Sequence, residues 1–228
     1  MARSLGRRIF KLLFISVLAV VLVPAVAVLA YRYVAPPLTP LMLIRGGDAK
    51  YDWVPIAKIA PALARSVLTA EDESFCSHHG FDAKALEKAI DDYLDEDKER
   101  TLRGGSTISQ QTAKNVFLWP NRTWLRKGLE TWFTIYMEAL WPKARIMEMY
   151  LNVVEWAPGV YGAEAAARHH FKKAAASLSP HEAALLAAVL PNPRGWNASN
   201  PGPYVSGRSV TLQGRASRVG PLAACLTS

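Results

Sequence analysis

The sequence predicts a mostly α-helical domain behind one N-terminal transmembrane helix. Three observations carry this. An uncharged run of 19 residues, Leu12 to Ala30, stands close to the start. Beyond it, apolar residues recur at three- and four-residue spacing, the period of a helix with one buried face. Alternating apolar and polar positions, the mark of a half-buried strand, are nearly absent.

The apolar run would extend about 28 Å as a helix, close to the thickness of a bilayer core. Pro24 lies inside it and is tolerated in membrane helices. Arg3, Arg7, Arg8 and Lys11 precede the run and Arg32 follows it. The positive-inside rule then places residues 1–11 in the cytoplasm, the span at 12–31, and the chain beyond it outside. Ala25-Val26-Ala27 resembles a signal-peptide cleavage site, but the run is longer than a usual h-region, so an uncleaved anchor is the reading. A buried core helix is the other alternative. Residues 32–50, with Pro36, Pro37, Pro40, Gly46 and Gly47, read as a linker. Pro61 suits the first turn of a helix whose apolar face is Leu63, Val67 and Leu68. Asp82 caps a helix through Ile90. Helices follow at 107–117 and 124–140, the second with Leu125, Leu129, Trp132, Phe133, Tyr136 and Leu140 in phase. Pro142 opens a helix through Asn152. Ser179-Pro180-His181-Glu182 is a capping box, and its helix stops at Pro191. After Asn192 only a weak basic helical pattern remains, and residues 206–228 read as a tail of uncertain structure.

The net charge is +8, but residues 1–32 hold five cations and no acid. The remainder carries +3, and lies outside the cell on the topology above, which argues against nucleic-acid binding. Half of the chain is hydrophobic and a fifth is charged, which excludes a disordered or collagen-like protein. Two cysteines, Cys76 and Cys225, form no disulfide framework. Export would permit a single bridge; two inert thiols are the simpler reading.

Four segments have the residue types for chemistry. In Glu71–Gly80, Glu71 follows Val67 by four and Leu68 by three, so a helix puts its carboxylate at the end of an apolar face. Desolvation there would make it a better base. By spacing alone, the acids at 71–73 fit better as solvated groups at a helix end or as caps of the next turn. His78 and His79 are adjacent and point apart, which suits structure better than metal binding. Gly104–Gln111 joins two glycines to a cap, with Ser106 as the capping residue. Lys114 stands on the face of Gln110 and Gln111. This fits an anion site, or simply a turn and a cap. Arg122, Arg126, Lys127 and Glu130 share one helix face, fitting a diphosphate or a solvated ion-paired surface. In Lys143–Asn152, Tyr150 and Asn152 suit sugar hydroxyls but more often pack and cap. Asp95-Glu96-Asp97 matches a metal-binding DxD only superficially. No serine is followed three residues later by lysine, so the Ser-x-x-Lys nucleophile of penicillin-binding transpeptidases is missing.

Taken in order, these segments resemble the bacterial peptidoglycan glycosyltransferases of the lysozyme-like superfamily. Glu71–Gly80 is similar to that family's EDxxFxxHxG, Gly104–Gln111 to GGSTxxQQ, Arg126–Glu130 to RKxxE and Lys143–Asn152 to KxxIxxxYLN. Glu182–Ala187 with Pro191-Asn192-Pro193 is similar to its last motif. Ser109 stands where many relatives have threonine, and Ala157 where glycine is frequent. The resemblance covers about residues 52–205 and implies a lysozyme-like helical glycosyltransferase domain at 51–205, of the monofunctional kind without transpeptidase activity.

The resemblance further implies the substrate lipid II, the growing glycan as second substrate, and a site at the inner-membrane surface. Glu71 would be the general base. Lys114, Arg122, Arg126 and Lys127 would neutralise the diphosphate, and Ser106, Gln110 and Gln111 would position donor sugar and phosphate. Glu130 would orient the cations or hold a divalent ion (Mg or Mn). No other cofactor is implied. The partners implied are the bilayer and, as candidates, cell division or elongation proteins. Apolar residues 53–68 would add an interfacial lobe. A lytic glycan-cleaving enzyme and a non-enzymatic membrane scaffold are the rival readings.

Overall fold

The computed structural model describes residues 2–94, 105–121 and 123–226. Helix α1 (Ala2–Tyr33) is continuous through Pro24 and leaves its apolar residues exposed along the span, as a lipid-facing helix does. Among the described residues it is the one helix long and apolar enough to cross a membrane. Its C-terminal end is docked onto the domain. The Trp141 indole N–H donates to the Val28 carbonyl at 2.8 Å, and Arg145 donates to the carbonyls of Tyr31 and Val34 at 2.8 and 2.9 Å.

The expected linker holds structure. Thr39 caps a short helix α2 (Pro40–Arg45), with Pro40 in its first turn, and Leu41 and Met42 are buried. Strand β1 (Lys50–Tyr51) follows and pairs in parallel with β3 (Val160–Tyr161); β3 pairs antiparallel with β2 (Glu155–Ala157). The order is β1-β3-β2. Gly162 ends this sheet at φ +86°, where a Cβ would lie 2.7 Å from the Asn152 carbonyl oxygen. Only glycine fits so close a backbone approach.

The helices are α3 (Pro61–Glu71), α4 (Ala83–Leu94), α5 (Ile108–Phe117), α6 (Trp124–Leu140), α7 (Lys143–Val153), α8 (Ala163–Phe171), α9 (Pro180–Val189) and α10 (Pro203–Ala216). The core forms around α7 and α9. Ile146, Met147, Met149, Tyr150 and Leu151 of α7 are fully buried, and Ala183–Val189 of α9 are buried on every side. Such a helix, apolar all round, belongs inside a domain. Helix α5 packs between α6 and α7, while α3 lies against α9 and α10.

Two expectations are corrected here. Ile59, Leu63, Val67 and Leu68 of the apolar stretch 53–68 are core residues packed toward α9, while Trp53, Val54 and Ile56 stay part exposed. The cysteines are not free thiols. Cys76 and Cys225 form a disulfide with Cα atoms 5.6 Å apart. The chain after Asn192 folds back through α10 against α3, which delivers Cys225 to the segment after Glu71. Helix α10 also runs through position 205, where the domain was expected to close.

Candidate active site

Helix α3 ends on the residue that its apolar stripe predicts. Leu63, Val67 and Leu68 are buried, and Glu71 continues that face at the mouth of an open cleft of about 440 Å³. Ser74, Asp82, Ser106 and Arg215 also line the cleft. The Gln111 amide donates to Glu71 Oε2 at 2.9 Å, and the buried Tyr150 hydroxyl donates to Gln111 Oε1 at 3.3 Å. A chain of two hydrogen bonds therefore fixes the carboxylate from α5 and α7. Burial pushes the Glu71 carboxyl above the usual range; the Gln111 bond and the charges of Arg208 and Lys114 offset this only in part.

Asp72 holds the cleft's frame together. It leaves the helix with φ −167° and is buried. Both of its oxygens lie 3.0 Å from His78 Nε2, and Oδ2 also accepts from the Ile108 N–H at 3.0 Å. The Gly80 N–H donates to His78 Nδ1 at 3.1 Å, so Nε2 carries the proton that Asp72 receives. An anion thus meets the N-terminus of α5, where free N–H groups favour it. Thr107 ties the same loop by donating to the Gly80 carbonyl at 2.7 Å.

A second cluster stands on α5 and α6. Thr123 caps α6, and Arg126 and Glu130 lie one turn apart in it. Both are buried and pair at 2.5 Å, while Arg126 Nε donates to the Asn121 carbonyl at 2.7 Å. Lys127 pairs with the other oxygen of Glu130 and stays part exposed. Lys114 belongs to the same field. Burial lowers its pKa, Glu130 pulls it back up, and Arg126, Arg45 and Lys127 lower it further. Among the described residues its ammonium has no hydrogen-bond or ion-pair partner. The surplus of cations fits a diphosphate. Because cations hold both oxygens of Glu130, the donor set does not fit a resident divalent ion, and no described cluster of His, Cys, Asp and Glu could hold one.

Of the sequence-selected residues, the structure brings Glu71 and Ser106 to the cleft, with Gln111 bonded to Glu71, and Lys114, Arg126, Lys127 and Glu130 into one cationic cluster. Gln110 is turned inward. Its side chain closes a capping box with Thr107, which caps α5 in place of Ser106. Arg122 and Asp95-Glu96-Asp97 lie outside the described residues. Asn152 serves structure, bonding the N–H and carbonyl of Val54 at 3.0 and 2.9 Å. Sequence reasoning missed Asp72, Arg208 and Arg215. Arg215 pairs with Glu73 across the cleft at 2.5 Å, and Arg208 faces the end of α3. The available signal was their seven-residue spacing, two turns on one helix face.

Residues 40–215 match the family described as Transglycosylase. The chain belongs to that family. Over 215 residues it is 49% identical to a biosynthetic peptidoglycan transglycosylase of Caulobacter vibrioides, covering 93% of each chain. It is 53% identical over 205 residues to the protein of that name from Rhodospirillum centenum, covering 86% of this chain and 87% of the other. The protein of that name from Pseudomonas aeruginosa is 48% identical over 223 residues, with 93% of each chain covered. Within this transglycosylase the last matched residues are those of α10, so Arg208 and Arg215 fall inside the family domain.

Proposed function

We propose that this transglycosylase of peptidoglycan synthesis polymerises lipid II by a single inverting displacement with Glu71 as general base. Glu71 takes the proton of the acceptor's GlcNAc 4-hydroxyl. That oxygen attacks the anomeric carbon of the donor MurNAc from the face opposite the diphosphate. The bond to undecaprenyl diphosphate breaks with its electron pair, and the α-linked donor becomes a β-1,4 glycan. Lys114, Arg126 and Lys127, with Arg122, stabilise the charge that develops on the leaving group. Glu130 orients the cations, and Gln111 and Ser106 position the base and the donor.

The observation that supports this reading most is the face of α5. Gln111 of that helix holds the base, and Lys114, one turn later, acts electrically on both Glu71 and Glu130. One rigid element therefore sets the base against the leaving-group site, as a displacement requires. A lytic enzyme needs the glutamate but not the cation cluster. The missing Ser-x-x-Lys supports a monofunctional enzyme. The apolar α1, with Arg3, Arg7, Arg8 and Lys11 ahead of its span, supports a single-pass inner-membrane protein with a cytoplasmic N-terminus. It holds the cleft near the headgroups, where a lipid-linked diphosphate lies.

Incubation of the full chain with lipid II tests the reading. Long glycan and free undecaprenyl diphosphate are expected, and Glu71→Gln abolishes both. Cleavage of finished glycan without synthesis overturns it, as does near wild-type polymerisation by Glu71→Gln.

A further inference from the structure

Helix α10 turns two arginines, Arg208 and Arg215, toward the acidic end of α3. Arg215 is neutralised by Glu73. Arg208 has no such partner. Its Nη2 donates to the Ala70 carbonyl at 3.4 Å, its Nε is buried and unpaired, and among the described residues it forms no ion pair. A guanidinium held partly out of water without a paired carboxylate is unfavourable unless its charge acts on something nearby. Ala70 is the residue before Glu71.

We propose that Arg208 is a positioning residue for Glu71: its Nη2 donates to the Ala70 carbonyl at the end of α3, which sets a fixed guanidinium charge near the carboxylate that accepts the proton. This rests on the reading of Glu71 as the base. The groups that face Glu71 are Asp72 from α3, Gln111 and Lys114 from α5, Tyr150 from α7 and Arg208 from α10. Asp72 opposes ionisation. Burial keeps the Tyr150 phenol neutral, and Gln111 has no charge. Of the two cations, Arg208 weighs more on Glu71 than Lys114 does. Lys114 is shared with Glu130 and can itself lose its proton, whereas an arginine stays charged at every working pH.

The test uses the full chain in detergent with lipid II, measuring kcat and KM from about pH 5 to pH 9. Arg208→Gln should move the acid limb of kcat up by roughly half to one pH unit, the scale of one nearby charge partly exposed to solvent. Below that limb kcat falls about 3- to 10-fold, as the same shift requires, and it recovers on the alkaline side. KM stays within about twofold, since no substrate contact is removed. Arg208→Lys restores the limb. Where Arg208→Gln does not fold, Arg208→Met keeps the apolar stem packed and removes the same charge. A uniform loss at every pH, a raised KM with the limb unmoved, or unchanged kinetics each overturns the inference. Glu71→Gln separates the two levels. If that variant polymerises, the base assignment itself fails. If it is inactive while Arg208→Gln leaves the limb in place, the inference about Arg208 alone fails.

Discussion

Replacing Glu130 by glutamine probes both halves of the site in one substitution. Glu130 is 4% exposed and its partner Arg126 7% exposed. Removing one member of a buried pair typically costs about 3–5 kcal/mol, because the other charge is left uncompensated. The amide retains an acceptor, and Arg126 keeps the Asn121 carbonyl, so the cost falls just below that range, at about 2–3 kcal/mol. In a chain of this size that corresponds to a Tm lower by roughly 5–10 °C. A second effect reaches Lys114. Glu130 is the charge that favours its ammonium form, against burial and three cations that disfavour it. With the carboxylate gone, Lys114 loses its proton at lower pH, and the alkaline limb of kcat moves toward neutrality. Calorimetry of the detergent-solubilised protein reads the first effect, and lipid II polymerisation from pH 6 to pH 10 reads the second. An unchanged Tm together with an unmoved alkaline limb would refute the reasoning.

Glu71→Gln should lower kcat at least about 100-fold while raising Tm at neutral pH. Burial raises this carboxyl in the folded state, so the wild type loses stability as pH rises from the unfolded value through the folded one; the neutral amide escapes that loss. A Tm that falls at pH 7 would contradict it. Chelation should leave the wild-type Tm unchanged, since cations already occupy Glu130; a drop on adding chelator would restore a metal role. Cys225→Ser opens a loop of 149 residues, for which chain entropy gives an upper figure of about 5 kcal/mol and common experience 2–4. A Tm equal to the wild type's under oxidising conditions would count against it. Gly80→Ala puts a Cβ 2.7 Å from Thr134 Cγ2 at φ +89°, and should cost roughly 1–3 kcal/mol in urea unfolding.

How much of this was legible depended on sequence distance. Helix α6 has the expected bounds, but its apolar stripe is not its buried face: Arg126, Glu130, Thr134 and Met137 are buried, while Leu125 is exposed and Leu129, Trp132, Phe133, Tyr136 and Leu140 are part exposed, because α5 packs on the face that holds the ion pair. Helix α8 was overlooked. Its Ala163–Ala167 are buried all round, so no polar face marks a period. The α5 cap was misplaced by one residue, since Ser106 and Thr107 offer equivalent hydroxyls and only the Gly80 carbonyl decides between them. Glu71 and Gln111 were found through local pattern and family resemblance. Arg208 and the Cys76–Cys225 bond were not, for each depends on where the chain travels after Asn192. Arg208 reaches Ala70 across 138 residues, and no local rule encodes such a return.

The cysteine bridge also gives the chain a closed topology. The covalent ring from Cys76 to Cys225 contains Lys114, Arg126, Lys127, Glu130 and Arg208, whereas Glu71 and α1 sit on the stem that leads into it. A single cut anywhere in the ring, the segment 95–104 included, leaves base, cation cluster and membrane helix in one covalent molecule. A cut in the stem releases the ring from the membrane helix. The ring cannot close until Cys225 has emerged, so the covalent tie between the chain beyond α10 and the segment after Glu71 forms only after α10 has been made.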